Sequence, residues 1–165
     1  MTKLSKAIFL DRDGIINRER KDYVKSTDEL EIFPYIKNIV KKFKDNGFLV
    51  VVITNQSAIN RGLLSVEELN QIHSKIQSFL NSKNTKIDAF YHCPHRPDEY
   101  CKCRKPKPHL ILQASSDLGI DLNQSWLIGD NDSDIQSATN AGCRSFKVNS
   151  YDSLNRAQND ILNHT

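Results

Sequence analysis

The sequence predicts an α/β fold: a Rossmann-like parallel sheet with helices on both faces, no separate cap domain, and a metal-binding loop beside the sheet. Three observations point there. Short apolar, β-branched runs alternate with segments of helical period along 165 residues, the pattern of strand–helix–strand units joined by right-handed crossovers. Residues 48–53 are apolar throughout, as in a strand covered on both faces. Asp11, Thr54 and Asp130 each directly follow a predicted strand, and in open α/β sheets that edge is where ligands bind.

Residues 7–10 form the first strand and run into Asp11-Arg12-Asp13-Gly14, where the glycine lets the chain turn sharply. Residues 15–31 carry Arg18, Glu19, Arg20, Lys21 and Asp22 around Tyr23-Val24 without a clean period; they read as a long loop able to reach over the mouth of a site. Helical spacing over 35–43 begins after Pro34 and stops at Gly47. Strand 48–53 ends in Thr54-Asn55-Gln56-Ser57. Ser65 and Glu68 make a capping box for a helix reaching Leu80, with Leu69, Ile72 and Ile76 on one stripe. A third strand, 87–91, leads to a Cys/His segment, and residues 108–118 form a helix closed by Gly119. Strand 125–128 ends in Gly129-Asp130, Asp132 or Ser133 caps a short helix stopping at Gly142, and 144–148 is the fifth strand. The tail from Tyr151 is weakly helical at best.

The composition, 38% hydrophobic and 26% charged, is that of a globular chain, and residues 1–165 fit a single domain. No apolar run approaches the roughly 18 residues of a membrane span, and the short run behind Lys3 and Lys6 is no signal-peptide core. A cytoplasmic monomer is expected, with no membrane partner. A net charge of +3 gives no electrostatic footprint for nucleic acid. Of four cysteines, Cys93, Cys101 and Cys103 fall within residues 93–103, which in a reducing compartment reads as metal binding.

An Asp-x-Asp at a strand end crowds two carboxylates that repel unless a cation sits between them or one holds a proton. Asp11 is suited to attack phosphorus as a carboxylate nucleophile, and Asp13 to give a proton to the leaving oxygen and later take one from water. Mg²⁺ prefers such oxygen ligands; Asp11, the backbone carbonyl of Asp13 and Asp130 would supply them, with Asp134 binding through water or positioning Lys105. The Thr54 hydroxyl, the Asn55 N–H and the Lys105 ammonium would meet the charge on the phosphoryl oxygens. Asp130 to Asp134 also has an acidic-loop look, but it lacks the later glycine and glutamate of a calcium-binding EF-hand loop. Cys93, His95, Cys101 and Cys103 make a closed Cys₃His set for structural Zn²⁺.

The order Asp-x-Asp-Gly, Thr-Asn, Arg-Lys-Pro, Gly-Asp-x-x-x-Asp on alternating strands resembles the haloacid dehalogenase (HAD) superfamily from Ala7 to Val148. The resemblance implies Asp11 as nucleophile, Asp13 as general acid/base, Thr54 and Lys105 as phosphate ligands, and Asp130 as a Mg²⁺ ligand. Asn55, Gln56, Ser57 and Arg104, beside Thr54 and Lys105 in the chain, are further candidate substrate- and phosphate-binding positions. The zinc loop just before Arg104-Lys105-Pro106 resembles the subgroup of heptose bisphosphate and histidinol phosphate phosphatases. The Asp11 to Asn17 and Thr54 to Gly62 segments are closer to the heptose enzymes, and the compact loop 93–103 to the histidinol enzymes. A small phosphorylated metabolite is the expected partner, with heptose 1,7-bisphosphate ahead of histidinol phosphate. A zinc-stabilised binding module that has lost catalysis is the reading from another class, and the intact Asp11/Asp13 pair argues against it.

Overall fold

A strand of four buried apolar residues, β1 (Ala7–Leu10), lies at the centre of a five-stranded sheet in the computed structural model, which describes residues 2–82 and 84–165. Its partners are β2 (Leu49–Asn55), β3 (Ala89–Cys93), β4 (Trp126–Gly129) and β5 (Arg144–Lys147), in the order β3-β2-β1-β4-β5. All pairings are parallel. The chain builds outward from β1 through β2 to β3, then crosses to the other side of β1 for β4 and β5. The order therefore reverses beside β1, and a crevice opens at that point. Leu10 pairs with both Val52 and Ile128, so the residues following three strands are brought to one edge.

Helices α1 (Ile36–Asp45), α2 (Val66–Leu80) and α5 (Tyr151–Asn163) cover one face, and α3 (His109–Leu118) and α4 (Asp132–Ala141) the other. Alternate residues of the strands divide between the two cores: Ile8, Leu10, Val50 and Val52 join the first, Ala7, Phe9, Val51 and Ile53 the second. At α2 the expected capping box is present, with Ser65 Oγ accepting from Glu68 N–H and the Glu68 carboxylate accepting from Ser65 N–H. Among the described residues no helix is long and apolar enough to cross a membrane.

Three boundaries near the site differ from the sequence reading. β2 runs on through Thr54 and Asn55, which pair with His92 and Cys93. β3 begins at Ala89 because Ile87 and Asp88 are held otherwise: Gln77 bonds both backbone groups of Ile87, and the Asp88 carboxylate accepts from Val50 N–H and Lys44. The cap of α4 is Asn131, not Asp132 or Ser133, since the Asp134 carboxylate reaches back to Asn131 N–H.

The largest correction is the tail, which forms a helix of 13 residues. Ser150 caps α5, and Leu154, Ala157 and Ile161 are buried on α1, each larger side chain contributing about 1.5–3 kcal/mol. Gln158 breaks the apolar stripe but is itself buried, donating to the Ile39 carbonyl at 2.7 Å. Tertiary packing supplies what local propensity lacks.

Candidate active site

At the end of β1 the Arg12 carbonyl accepts N–H groups from Ile15, Ile16 and Asn17. This fold-back turns Gly14 to φ +87°, and a Cβ there would lie 2.1 Å from Asp130 Oδ2. Glycine at 14 is thus what lets the Asp130 carboxylate approach the β1 turn. One oxygen each from Asp11, Asp130 and Asp134 lie within 4.8 Å of one another. Three hard oxygen donors around one point fit Mg²⁺.

Lys105 Nζ enters the same cluster from the segment before α3. It donates to Asp11 Oδ1 at 3.0 Å, Asp134 Oδ1 at 2.6 Å and the Ile53 carbonyl at 2.9 Å. The side chain is only 4% exposed. Burial opposes its charge, but the Asp11 and Asp134 carboxylates outweigh burial and hold the ammonium protonated. Burial pushes Asp11 up to about 8 against the pull of Lys105, with Asp134 and Asp13 adding to the rise. Asp130 is raised as well, by burial and then by Asp134.

Asp13 has the opposite environment. Its Oδ1 accepts from Arg12 Nη2 at 2.8 Å and Asn17 Nδ2 at 2.9 Å, and its Oδ2 from Gln56 Nε2 at 2.9 Å. Burial works against the carboxylate, yet the Arg12 charge and these three donors bring Asp13 below its ordinary value. Without a cation the two neighbouring carboxyls are thus set apart, Asp11 holding a proton and Asp13 ionised; a divalent cation on Asp11 would replace that proton.

A cleft of about 640 Å³ opens above the cluster. Asp11, Asp13, Gln56 and Lys105 line its floor, and Arg20, Lys21, Arg61 and Arg104 bring positive charge to its walls. The loop over 15–31 does contribute here, through Glu19, Arg20, Lys21, Tyr23 and Val24.

Beside the cleft, Cys93, His95, Cys101 and Cys103 point one donor atom each at a common centre, all within 4.8 Å of one another. The sulfur atoms are 3.0, 3.6 and 3.8 Å apart, against about 3.8 Å for the edge of a tetrahedron with Zn–S bonds of about 2.3 Å. The donor set fits zinc. Arg104 is tied to this loop twice, by its N–H to Cys101 Sγ at 3.4 Å and by Nη1 to the His95 carbonyl at 3.1 Å.

Of the residues singled out from the sequence, Asp11, Asp13, Asn55, Gln56, Ser57, Arg104 and Lys105 all line the cleft. Thr54 lies beneath it, fully buried, its hydroxyl accepting from Gln56 Nε2 at 2.8 Å. The Asn55 side chain clamps the backbone of Lys105, accepting its N–H at 3.1 Å and donating to its carbonyl at 3.3 Å. Asp134 bonds Lys105, one of its two expected roles. Sequence reasoning gave no site role to Arg12, Asn17 or Ser133, the last of which lines the cleft. The signal for Arg12 was available: a charge set between two carboxylates straight after a buried strand.

Comparison with known proteins adds names. A HAD-hydrolase-like family model matches residues 102–158. The chain is 43% identical over 142 residues to a D-glycero-beta-D-manno-heptose-1,7-bisphosphate 7-phosphatase of Helicobacter pylori, covering 86% of this chain and 81% of that one. It is 42% identical to a probable D-glycero-D-manno-heptose-1,7-bisphosphate 7-phosphatase of Thermoplasma acidophilum, covering 83% and 86%. A crystal structure of the D,D-heptose 1,7-bisphosphate phosphatase of Bordetella bronchiseptica, complexed with magnesium and phosphate, superposes with a TM-score of 0.86 at 31% identity, covering 97% of this chain and 99% of that one.

Proposed function

From the premise that the chain belongs to the HAD-like hydrolases and is a phosphatase of that family, we propose that it removes the 7-phosphate of D-glycero-D-manno-heptose 1,7-bisphosphate through an aspartyl-phosphate. The observation that carries the chemistry is the Lys105 ammonium held 3.0 Å from Asp11 inside a three-carboxylate cluster. The substrate rests on the names of the relatives and on the cationic walls of the cleft, where Arg20, Lys21, Arg61 and Arg104 suit a second phosphate.

Asp11, whose proton bound Mg²⁺ would replace, attacks phosphorus through a carboxylate oxygen while the bond from phosphorus to the sugar oxygen breaks. Asp13 delivers its proton to that leaving oxygen. Asp13 is ionised at rest; the arriving phosphate, a like charge, favours its protonated form. Water then attacks the phosphoryl group, Asp13 takes the proton, and phosphate leaves with the Asp11 carboxylate restored. Lys105 lies within reach of the phosphoryl oxygens, where its charge offsets theirs. Mg²⁺, held by Asp11, Asp130 and the Asp13 carbonyl with Asp134 alongside, would draw off phosphoryl charge and lower the barrier to attack. Asn55 to Ser57 form the phosphate side of the floor, with Thr54 beneath it anchoring Gln56. Zn²⁺ at Cys93, His95, Cys101 and Cys103 would hold the loop that presents Arg104 and Lys105.

A phosphatase assay with Mg²⁺ should compare heptose 1,7-bisphosphate, histidinol phosphate and simple sugar phosphates by kcat/KM. The heptose bisphosphate is expected to lead by at least about tenfold, which is 1.4 kcal/mol of differential transition-state binding. A lead for histidinol phosphate would replace the substrate and leave the chemistry standing.

A further inference from the structure

Arg12 is the largest fully buried side chain of the protein, 0% exposed. Its Nη2 is 2.8 Å from Asp13 Oδ1, while Nε and Nη1 have no hydrogen-bond partner among the described residues. Among the described residues Asp13 is its one ion-pair partner. His73, nearby on α2, is stacked on Phe90 with its ring centroid 4.3 Å away, and burial together with the Arg12 charge keeps it neutral. A buried ion pair with unsatisfied donors is a poor source of stability, so the fold itself gives little reason for a guanidinium here.

Its partner gives a better one. Both Asp13 oxygens are engaged: Arg12 and Asn17 hold Oδ1, Gln56 holds Oδ2, and the same Gln56 nitrogen bonds the Thr54 hydroxyl. The carboxyl group is thereby left one orientation. Gln56 lines the cleft and is able to touch a substrate, whereas Arg12 sits wholly behind Asp13. We propose that Arg12 is a positioning residue for proton transfer: its guanidinium, acting from beneath the floor, fixes the Asp13 carboxyl in line with the leaving oxygen. This rests on the reading of Asp13 as the general acid/base.

The leaving group separates positioning from mere structural support. An alkoxide leaving group needs the proton, whereas a nitrophenolate leaves without it. In Arg12→Met, a side chain of similar length with no donors, kcat/KM for an alkyl phosphate such as a sugar phosphate should fall about 100-fold, the usual size of a lost alignment. For p-nitrophenyl phosphate it should stay within about threefold, because the acid contributes little there. The melting temperature should fall, because removing one partner of a buried pair leaves the Asp13 charge uncompensated, but that loss acts on both substrates alike; Arg12→Lys should recover most of the alkyl activity. Equal losses on both substrates, or no loss on either, would overturn the inference. If Arg12→Met does not fold, Arg12→Gln carries the same comparison. Asp13→Asn is the control. If it discriminates between the substrates and the Arg12 variants do not, the inference alone fails; if it does not discriminate, the acid/base reading fails and the inference with it.

Discussion

The carboxylate cluster gathers Asp11 from the end of β1, Asp130 and Asp134 from the end of β4 and the start of α4, and Lys105 from the segment ahead of α3, whereas the cysteine cluster takes all four donors from residues 93–103. The first exists only when the sheet has formed. The second needs little more than one loop attached to the last residue of β3. They also differ in what they leave free: the carboxylates face a cleft, and the Cys₃His set has no fourth position to spare. On the proposed roles, the site assembled by the whole fold is open for chemistry and the site assembled by one loop is closed for support.

The sharpest break between the two should come from Asp11→Asn. Loss of a nucleophile typically costs at least about 10⁴ in kcat. Zinc content, measured by metal analysis, should be unchanged. Retained turnover would remove Asp11 from its role, and loss of zinc would show that the clusters do not stand apart.

The opposite lesion is not expected to be symmetrical. Cys101→Ser, or zinc removal by a chelator, should lower the melting temperature, because binding energy at such a site is folding energy. It should also reduce kcat/KM by about 100-fold, through displacement of Arg104 and Lys105, whose segment is bonded to Cys101 and His95. A stable, fully active Cys101→Ser protein would refute the dependence of the open site on the closed one.

The smallest effect is one of pH. Asp11 has a folded value of about 8 against an ordinary 3.8, so the folded protein binds more protons than the unfolded chain between them, and stability falls as pH rises through that window. His73, lowered by burial to about 3 from 6.5, acts with the opposite sign, but only below 6.5. With zinc in place and magnesium withheld, thermal melts from pH 6.5 to 8 should therefore show a decline, worth at most about 2 kcal/mol at 1.36 kcal/mol per pH unit. Magnesium should abolish it by replacing the proton on Asp11. A rise in stability over that interval would contradict the assignment.

The same contrast explains what was legible in the sequence. Cys93, His95, Cys101 and Cys103 announce themselves by spacing, because their geometry is local. Asp11, Thr54, Lys105 and Asp130 were legible only as an ordered set on alternating strands. What the order did not carry was the placement of side chains one layer further out: Arg12 folding behind Asp13, Gln56 bridging Asp13 and Thr54, Asn55 clamping the Lys105 backbone. Those depend on where strands end, and β2 and β3 both end later than their apolar runs. α5 was hidden for a related reason, since the polar Gln158 lies on its buried stripe and finds its partner on α1.

Gly14 sets a limit on how this enzyme can change. A single methyl group at that position would occupy the space of an Asp130 oxygen, and the left-handed backbone there already disfavours any L side chain. Libraries that randomise the β1 turn should therefore return glycine at 14 whatever substrate they are selected on. Altered specificity is open instead to the mouth residues Arg20, Lys21 and Tyr23, which can vary without disturbing the acidic centre.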